Sequence, residues 1–324
     1  QTNTTATAGD NLLVTSGGTQ RLALLSGDSL TLTAGGDVLD NDGGNSLNLR
    51  GNSLDISAEG VIGGPDITNA PNANNHALDL AVNTLAASSV RGIYLQQLAS
   101  AGDLTSENLV TQTGPIKVVV RDGNLIVNDG TDGDGIGVRT VDASDILLWA
   151  SANLDINAQV ISAGGHVSLQ AGNDIDLAAA VSTTGSGSIY IAGRDVIFDA
   201  AIDTDAGDQL LSATRDLQIN ATLTSATGSI GLLAGRDLSQ TANVTAGGDV
   251  LVNAGRDYMQ SSGTNTIASA TIQLTSGGDL QLGLISAAHI ALDAGGDVLD
   301  NNGADTLNLR SGTLRIVSGG TIGG

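Results

Sequence analysis

The chain has 324 residues, with 12 Lys and Arg against 34 Asp and Glu, a net charge of -22. That balance excludes nucleic acid as a partner, because phosphate binding needs clustered Lys and Arg, and it disfavours anionic membrane surfaces. The absence of Cys excludes a disulfide scaffold and thiolate-bound metals, and no apolar run is long enough to insert into a membrane as a spanning helix.

Composition also bounds the fold. The acidic residues are Asp except for Glu59 and Glu107, and Lys117 is the sole Lys. The charged residues that best support helices are therefore nearly missing, and no sizeable helix is expected. Apolar residues make up 40% of the chain, yet only Tyr94, Trp149, Tyr190, Phe198 and Tyr258 are aromatic. Small branched side chains of this kind suit a narrow core.

Taken in order, residues 15–64 introduce a long repeat. Ala34-Gly35-Gly36-Asp37-Val38-Leu39-Asp40-Asn41 returns as residues 294–301, Leu47-Asn48-Leu49-Arg50 as 307–310, and Ile62-Gly63-Gly64 as 322–324. The offset is 260 throughout, so residues 1–64 repeat as 261–324. The chain reads as a single continuous segment, 1–324, holding one such module and the first quarter of the next. Its ends then fall inside modules, with no polar cap at either. The expected partners are neighbouring modules of the same chain, or like chains stacked end to end.

Residues 65–145 are less regular and carry longer loops, with Pro65, Pro71 and Pro115. Asp66 to Asn75 reads as a polar excursion. Alternating strands return at 78–82, 92–95, 116–120 and 125–127. The loop Asp129-Gly130-Thr131-Asp132-Gly133-Asp134-Gly135 follows. Calcium uses such oxygen-rich, Gly-flexible loops, although the closing Glu of an EF-hand is absent. Asp129, Asp132 and Asp134 are the candidate calcium ligands, and no other cofactor is expected. A second acidic cluster, Asp40, Asn41, Asp42 and Asn45, is echoed at Asp300, Asn301, Asn302 and Asp305.

Residues 164–297 organise the whole. A turn ending in Asp recurs at Asp174, Asp195, Asp216, Asp237, Asp257, Asp279 and Asp297, at spacings of 21, 21, 21, 20, 22 and 18. Short strands of alternating apolar residues flank each turn. A fixed period near 20 residues marks a solenoid, and alternation with period 2 makes its units strands and corners. The expected fold is all-β: a parallel β-helix with coils of about 21 residues, forming an elongated, almost helix-free rod. Equivalent residues should stack in columns, roughly 4.8 Å apart. Arg194, Arg215, Arg236 and Arg256 should line one edge, with Asp195, Asp216, Asp237 and Asp257 beside them. A column of Asp repels itself unless Arg or turn N–H groups offset the charge. Near-equal copies point to turn chemistry that sets coil length, because a catalytic centre needs one unlike place.

His76, His166 and His289 are isolated, and no nucleophile elbow occurs. Trp149, in Ile146-Leu147-Leu148-Trp149, reads as packing. The chain is therefore expected not to be an enzyme.

The Ala-Gly-Gly-Asp-Val and Ala-Gly-Arg-Asp-Leu/Val units resemble the repeats of large exoproteins of the filamentous haemagglutinin class. So do Ile62-Gly63-Gly64, the run from Ala77 to Ala87, and Gly92-Ile93-Tyr94-Leu95. The resemblance covers essentially the whole chain. It implies a right-handed parallel β-helix and two-partner secretion to the surface of a Gram-negative cell. It further implies a shaft segment of an adhesin or extracellular filament that meets host or cell-surface glycans or proteins. The secretion domain of that class, with its Asn-Pro-Asn-Gly or Asn-Pro-Asn-Leu motif, has no match. The alternative is a β-helix polysaccharide-degrading enzyme or carbohydrate-binding module.

Overall fold

The computed structural model describes residues 4–41, 44–64, 76–303 and 306–323. Among them are 37 strands and no helix. The polar excursion expected at Asp66 to Asn75 lies outside the described residues. The chain divides into two units, Gln1–Asn173 and Asp174–Gly324.

The second unit shows the coil plan most plainly. The strand Ile189–Gly193 turns into Val196–Phe198, which turns into Ile202–Thr204. After a third turn, Gln209–Ala213 lies parallel to Ile189–Gly193, with Ile189 opposite Gln209 and Ile191 opposite Leu211. The next two strands repeat the pairing, Val196 with Leu217 and Ile202 with Leu223. Each coil thus has three strands and three corners. Alternate side chains point inward: Ile189 and Ile191 are buried, whereas Tyr190 between them is exposed.

Inward residues of successive coils build continuous core columns. One runs Val196, Leu217, Leu238, Tyr258, Leu280 and Val298, all buried. Tyr258 places a hydroxyl inside this column, and it donates to Gln240 Oε1 at 2.7 Å. Thr266 Oγ1 donates to the same oxygen at 3.0 Å, so the enclosed polar groups serve one another.

Hydroxyls also line the inside of the third corner. Thr204 Oγ1 donates to the Gly207 carbonyl at 2.8 Å, and Ser225 Oγ to the same oxygen at 2.9 Å. Both side chains are buried. A Cβ on Gly207 would stand 1.7 Å from the Gly187 carbonyl oxygen, so this corner admits only glycine.

The first unit follows the same plan with more interruptions. One column of its core runs Leu32, Ile56, Ala87, Leu109, Val138 and Val160. Strand register shifts between Ser106 and Asn108 and between Ile136 and Val138. An extra residue at such a bulge bends the strand without breaking the stack. The strand Ile93–Gln97 is buried on both faces. On its outward side Ala77, Tyr94 and Val119 form an apolar cluster, with Val61 and Trp149 packed against it. Trp149 thus packs, as its sequence context suggests, although it stays only half-buried.

The two copies of the 260-residue repeat make matching bonds. Asp37 Oδ1 accepts the Val61 N–H at 3.0 Å, and Asp297 Oδ1 accepts the Thr321 N–H at 2.6 Å. Asn48 Nδ2 donates to Asp40 Oδ1 at 3.0 Å, and Asn308 Nδ2 to Asp300 Oδ1 at 2.8 Å. Each unit is an all-β parallel solenoid with coils of about 21 residues.

This alternation makes a sharp prediction. Ile219 is fully buried and Gln218 beside it points outward. Ile219→Ala should cost about 2–5 kcal/mol of stability through lost burial and the cavity left. Gln218→Ala should change stability by less than about 0.5 kcal/mol. Denaturant unfolding of the two variants checks this; equal losses would mean that the core does not follow the period of two.

Candidate functional site

The Asp column of the second unit is built by reaching one coil along. Asp174 Oδ1 accepts the backbone N–H of Asp195 at 3.2 Å. Asp195 receives Asp216 at 3.1 Å, Asp216 receives Asp237 at 3.2 Å, and Asp237 receives Asp257 at 3.4 Å. Asp257 and Asp279 continue the series at 2.9 and 2.8 Å. Each carboxylate therefore holds the N–H of the equivalent turn in the next coil, not an N–H of its own turn.

Arg side chains cover the middle of this column. Arg194 Nε and Nη2 donate to the two oxygens of Asp174 at 3.0 and 2.7 Å. Arg215, Arg236 and Arg256 clamp Asp195, Asp216 and Asp237 in the same way, with Nε distances of 2.7, 2.7 and 2.6 Å. The Asp beside each Arg in sequence is farther away, at 3.8, 3.7 and 3.5 Å. Positive and negative charge thus alternate along the column, which offsets the repulsion of stacked carboxylates. Arg236 is the first cause holding the Asp216 carboxyl below the usual carboxylate range; partial burial opposes it, and the Asp237 N–H assists. Where Gly replaces Arg the fit is different: a Cβ on Gly278 would lie 2.2 Å from Asp257 Oδ1.

The same column exists in the first unit, where sequence reading did not find it. Asp103 Oδ1 accepts the Asn124 N–H at 2.8 Å, and Asn124 Oδ1 accepts the Asn153 N–H at 2.9 Å. The signal was present: each stands directly before an inward Leu, namely Leu104, Leu125 and Leu154. Asn in place of Asp, and the uneven spacing, hid it. A further column was missed at the second corner. Asn157 Nδ2 donates to Asn128 Oδ1 at 3.0 Å, and Asn220 Nδ2 to Asp199 Oδ1 at 2.8 Å.

The acidic loop does bring its carboxylates together. Oxygens of Asp129, Asp132 and Asp134 lie within 4.8 Å of one another, the one such group of three metal-type ligands among the described residues. Asp132 Oδ2 also accepts Asn108 Nδ2 at 3.0 Å, and Asp134 Oδ1 accepts the Ile136 N–H at 2.8 Å. Calcium takes six to eight oxygens, so with one oxygen from each carboxylate the three make up half a shell at most. In the second acidic cluster Asp42 and its echo Asp305 lie outside the described residues. Asp300 Oδ1 is engaged by Asn308 and by the Asn302 N–H at 2.7 Å, as part of a folded turn.

One place in the first unit is unlike any column. Asp79 is fully buried, and its Oδ1 accepts Gln96 Nε2 at 2.8 Å. Gln96 Nε2 also donates to Asn45 Oδ1 at 3.0 Å, while Gln96 Oε1 accepts Arg121 Nε at 2.8 Å and Nη2 at 2.6 Å. Burial pushes the Asp79 carboxyl up to about 7; the Gln96 bond and Arg121 oppose that rise, and Asp40 adds to it. Composition gives no warning of this chain of contacts, because its members stand 17 to 51 residues apart.

Comparison with known families places the match in the regular part of the chain: the model of the hemagglutinin repeat matches residues 149–308. No curated protein matches the chain, and no solved structure does.

Two predictions follow from the geometry. Asp216→Asn keeps an oxygen for the Asp237 N–H, as Asn124 does for Asn153, and should cost less than about 1 kcal/mol. Asp216→Ala leaves that N–H unpaired and should cost about 1–3 kcal/mol. Because its folded pKa lies below the unfolded value, the contribution of Asp216 is complete above about pH 4 and fades as pH falls further. Thermal melts of both variants from pH 3 to pH 7 check the order and the window.

Asp79 has the opposite sign. Its folded carboxyl is pushed up to about 7, so its contribution is complete below about pH 4 and is lost as pH rises through 7. Asp79→Asn should therefore flatten the dependence of stability on pH between about 4 and 7. An unchanged slope in urea unfolding across that range would refute the assignment.

Proposed function

The chain carries repeats of the filamentous haemagglutinin kind folded as a β-solenoid, and on that premise we propose that it is a shaft segment of a secreted, cell-surface adhesin. The hemagglutinin-repeat match over residues 149–308 carries this reading, because it falls on the coils whose turns are tied by the Arg–Asp column. In this reading the coils are a spacer. Each adds length, and backbone ladders with carboxylate and guanidinium bonds join it to the next. The recurrence of residues 15–64 at an offset of 260 suits a shaft lengthened by repetition.

The same reading makes the chain non-enzymatic. Asp195, Asp216 and Asp237 are equivalent in partner and in surroundings, and each has both carboxylate oxygens engaged by Arg. A general acid or base needs a carboxyl with a proton to move and a substrate within reach. Calcium at Asp129, Asp132 and Asp134 would brace one loop of the shaft and has no part in a reaction.

Localisation and adhesion are tested together. Antibody against this segment should label intact source cells, and protease shaving should remove the signal. Beads coated with the folded chain should adhere to host cells, and beads coated with the unfolded chain should not. Labelling only after cell lysis would sink the surface assignment.

A further inference from the structure

The cluster of unlike residues in the first unit borders a pocket of about 250 Å³, lined by Asn45, Gln96, Leu98, Ala99, Arg121 and Trp149. It lies on the outward side of the strands Ile93–Gln97, Ile116–Val120 and Ile146–Ala150, which pair in register. Outward positions on the regular coils carry polar residues such as Ser182, Asp203 and Thr224, with single large apolar ones such as Tyr190, Leu210 and Leu251 between them. In this one place they carry the chain's sole Trp beside an Arg and a pair of amides.

Each lining residue has a distinct chemical use. Trp149 is half-buried against Ala77, Tyr94 and Val119, so its ring is held as a fixed apolar wall. The Arg121 guanidinium is oriented by two bonds to Gln96 Oε1, at 2.8 and 2.6 Å. Gln96 cannot turn freely, because its own Nε2 is tied to Asp79 at 2.8 Å and to Asn45 at 3.0 Å. An aromatic wall suits the C–H face of a sugar ring, a planar guanidinium suits a carboxylate, and amides suit hydroxyls. The volume is below the ~300–1,000 Å³ of drug-sized sites and fits one ring. Arg121 is the one charged residue among those lining the pocket, so it is the group there that an anion would meet.

We infer that this pocket binds the carboxylate-bearing ring of an acidic sugar, with Trp149 as the stacking wall and Arg121 as the carboxylate partner. This builds on the adhesin reading and adds a ligand class and a location to it. It also gives Trp149 a use beyond packing.

The sole Trp makes occupancy visible by intrinsic fluorescence. The probes are glucuronate, glucose as a ring without the carboxylate, and acetate as a carboxylate without the ring, all at constant ionic strength. A saturable change with glucuronate is expected, with a midpoint on the order of 1 mM, and no change with glucose or acetate at tenfold higher concentration. Arg121→Gln should weaken glucuronate by at least about tenfold, whereas Arg91→Gln, outside the pocket, should not. Trp149→Ala, followed by saturation-transfer NMR, should lose the ring contact. No saturable response up to about 100 mM, an equal response to glucose, or an unaltered Arg121→Gln would each overturn the inference. If Arg121→Gln does not fold, the salt dependence of the unaltered chain decides. Affinity should fall as ionic strength rises, and a salt-independent response would overturn the carboxylate contact. Failure here with the segment still found on intact cells would sink the pocket and leave the shaft reading in place.

Discussion

Every feature of this fold depends on parallel stacking in register. When coil lies on coil, each side chain stands roughly 4.8 Å from its own counterpart, above and below. An apolar column gains from that arrangement, since Val196, Leu217 and Leu238 bury one another. A charged column loses, and a turn of Asp repeated each coil would push the coils apart. The second unit resolves the conflict by displacing the bonds by one coil. Each carboxylate holds the turn of the next coil and is clamped by that coil's Arg. The groups that would repel one another become the rungs that join the coils.

Polar groups inside the tube obey the same constraint differently. A narrow core cannot admit water freely, so an enclosed hydroxyl or amide needs a partner from the chain itself. Thr204 and Ser225 share the Gly207 carbonyl, and Tyr258 and Thr266 share Gln240. The first pair sits at a corner, where the backbone leaves a carbonyl outside the strand ladders, and the second lies within the core, side chain to side chain. Ser, Thr and Gly therefore matter here as much as Leu and Val.

The first unit shows what happens when the repeat loosens. The turn column survives there as Asp103, Asn124 and Asn153, since an amide oxygen accepts a backbone N–H as a carboxylate does. The outward face of Ile93–Gln97, freed from the repeat, becomes a buried surface with Asp79, Gln96 and Arg121 in one connected set. A solenoid can hold a specific site only where its coils stop being equivalent. The hemagglutinin-repeat match begins at Trp149, so most of this unlike region lies before it.

The sequence by itself determined the architecture. A period near 21 residues, alternation with period 2, and the scarcity of Glu and Lys left a parallel β-solenoid as the consistent solution. It also determined that Asp129, Asp132 and Asp134 meet, since a Gly-rich loop of that length brings its own carboxylates together. Tertiary structure decided the partners. Whether Asp195 caps its own turn or the next depends on how one coil is offset over another, and spacing is the same in both cases. It decided likewise that Gln96 lies between Asp79 and Arg121, because contacts between unlike coils follow no period. Repeats reveal what they impose equally on every coil; a contact made once is visible only when the chain is folded.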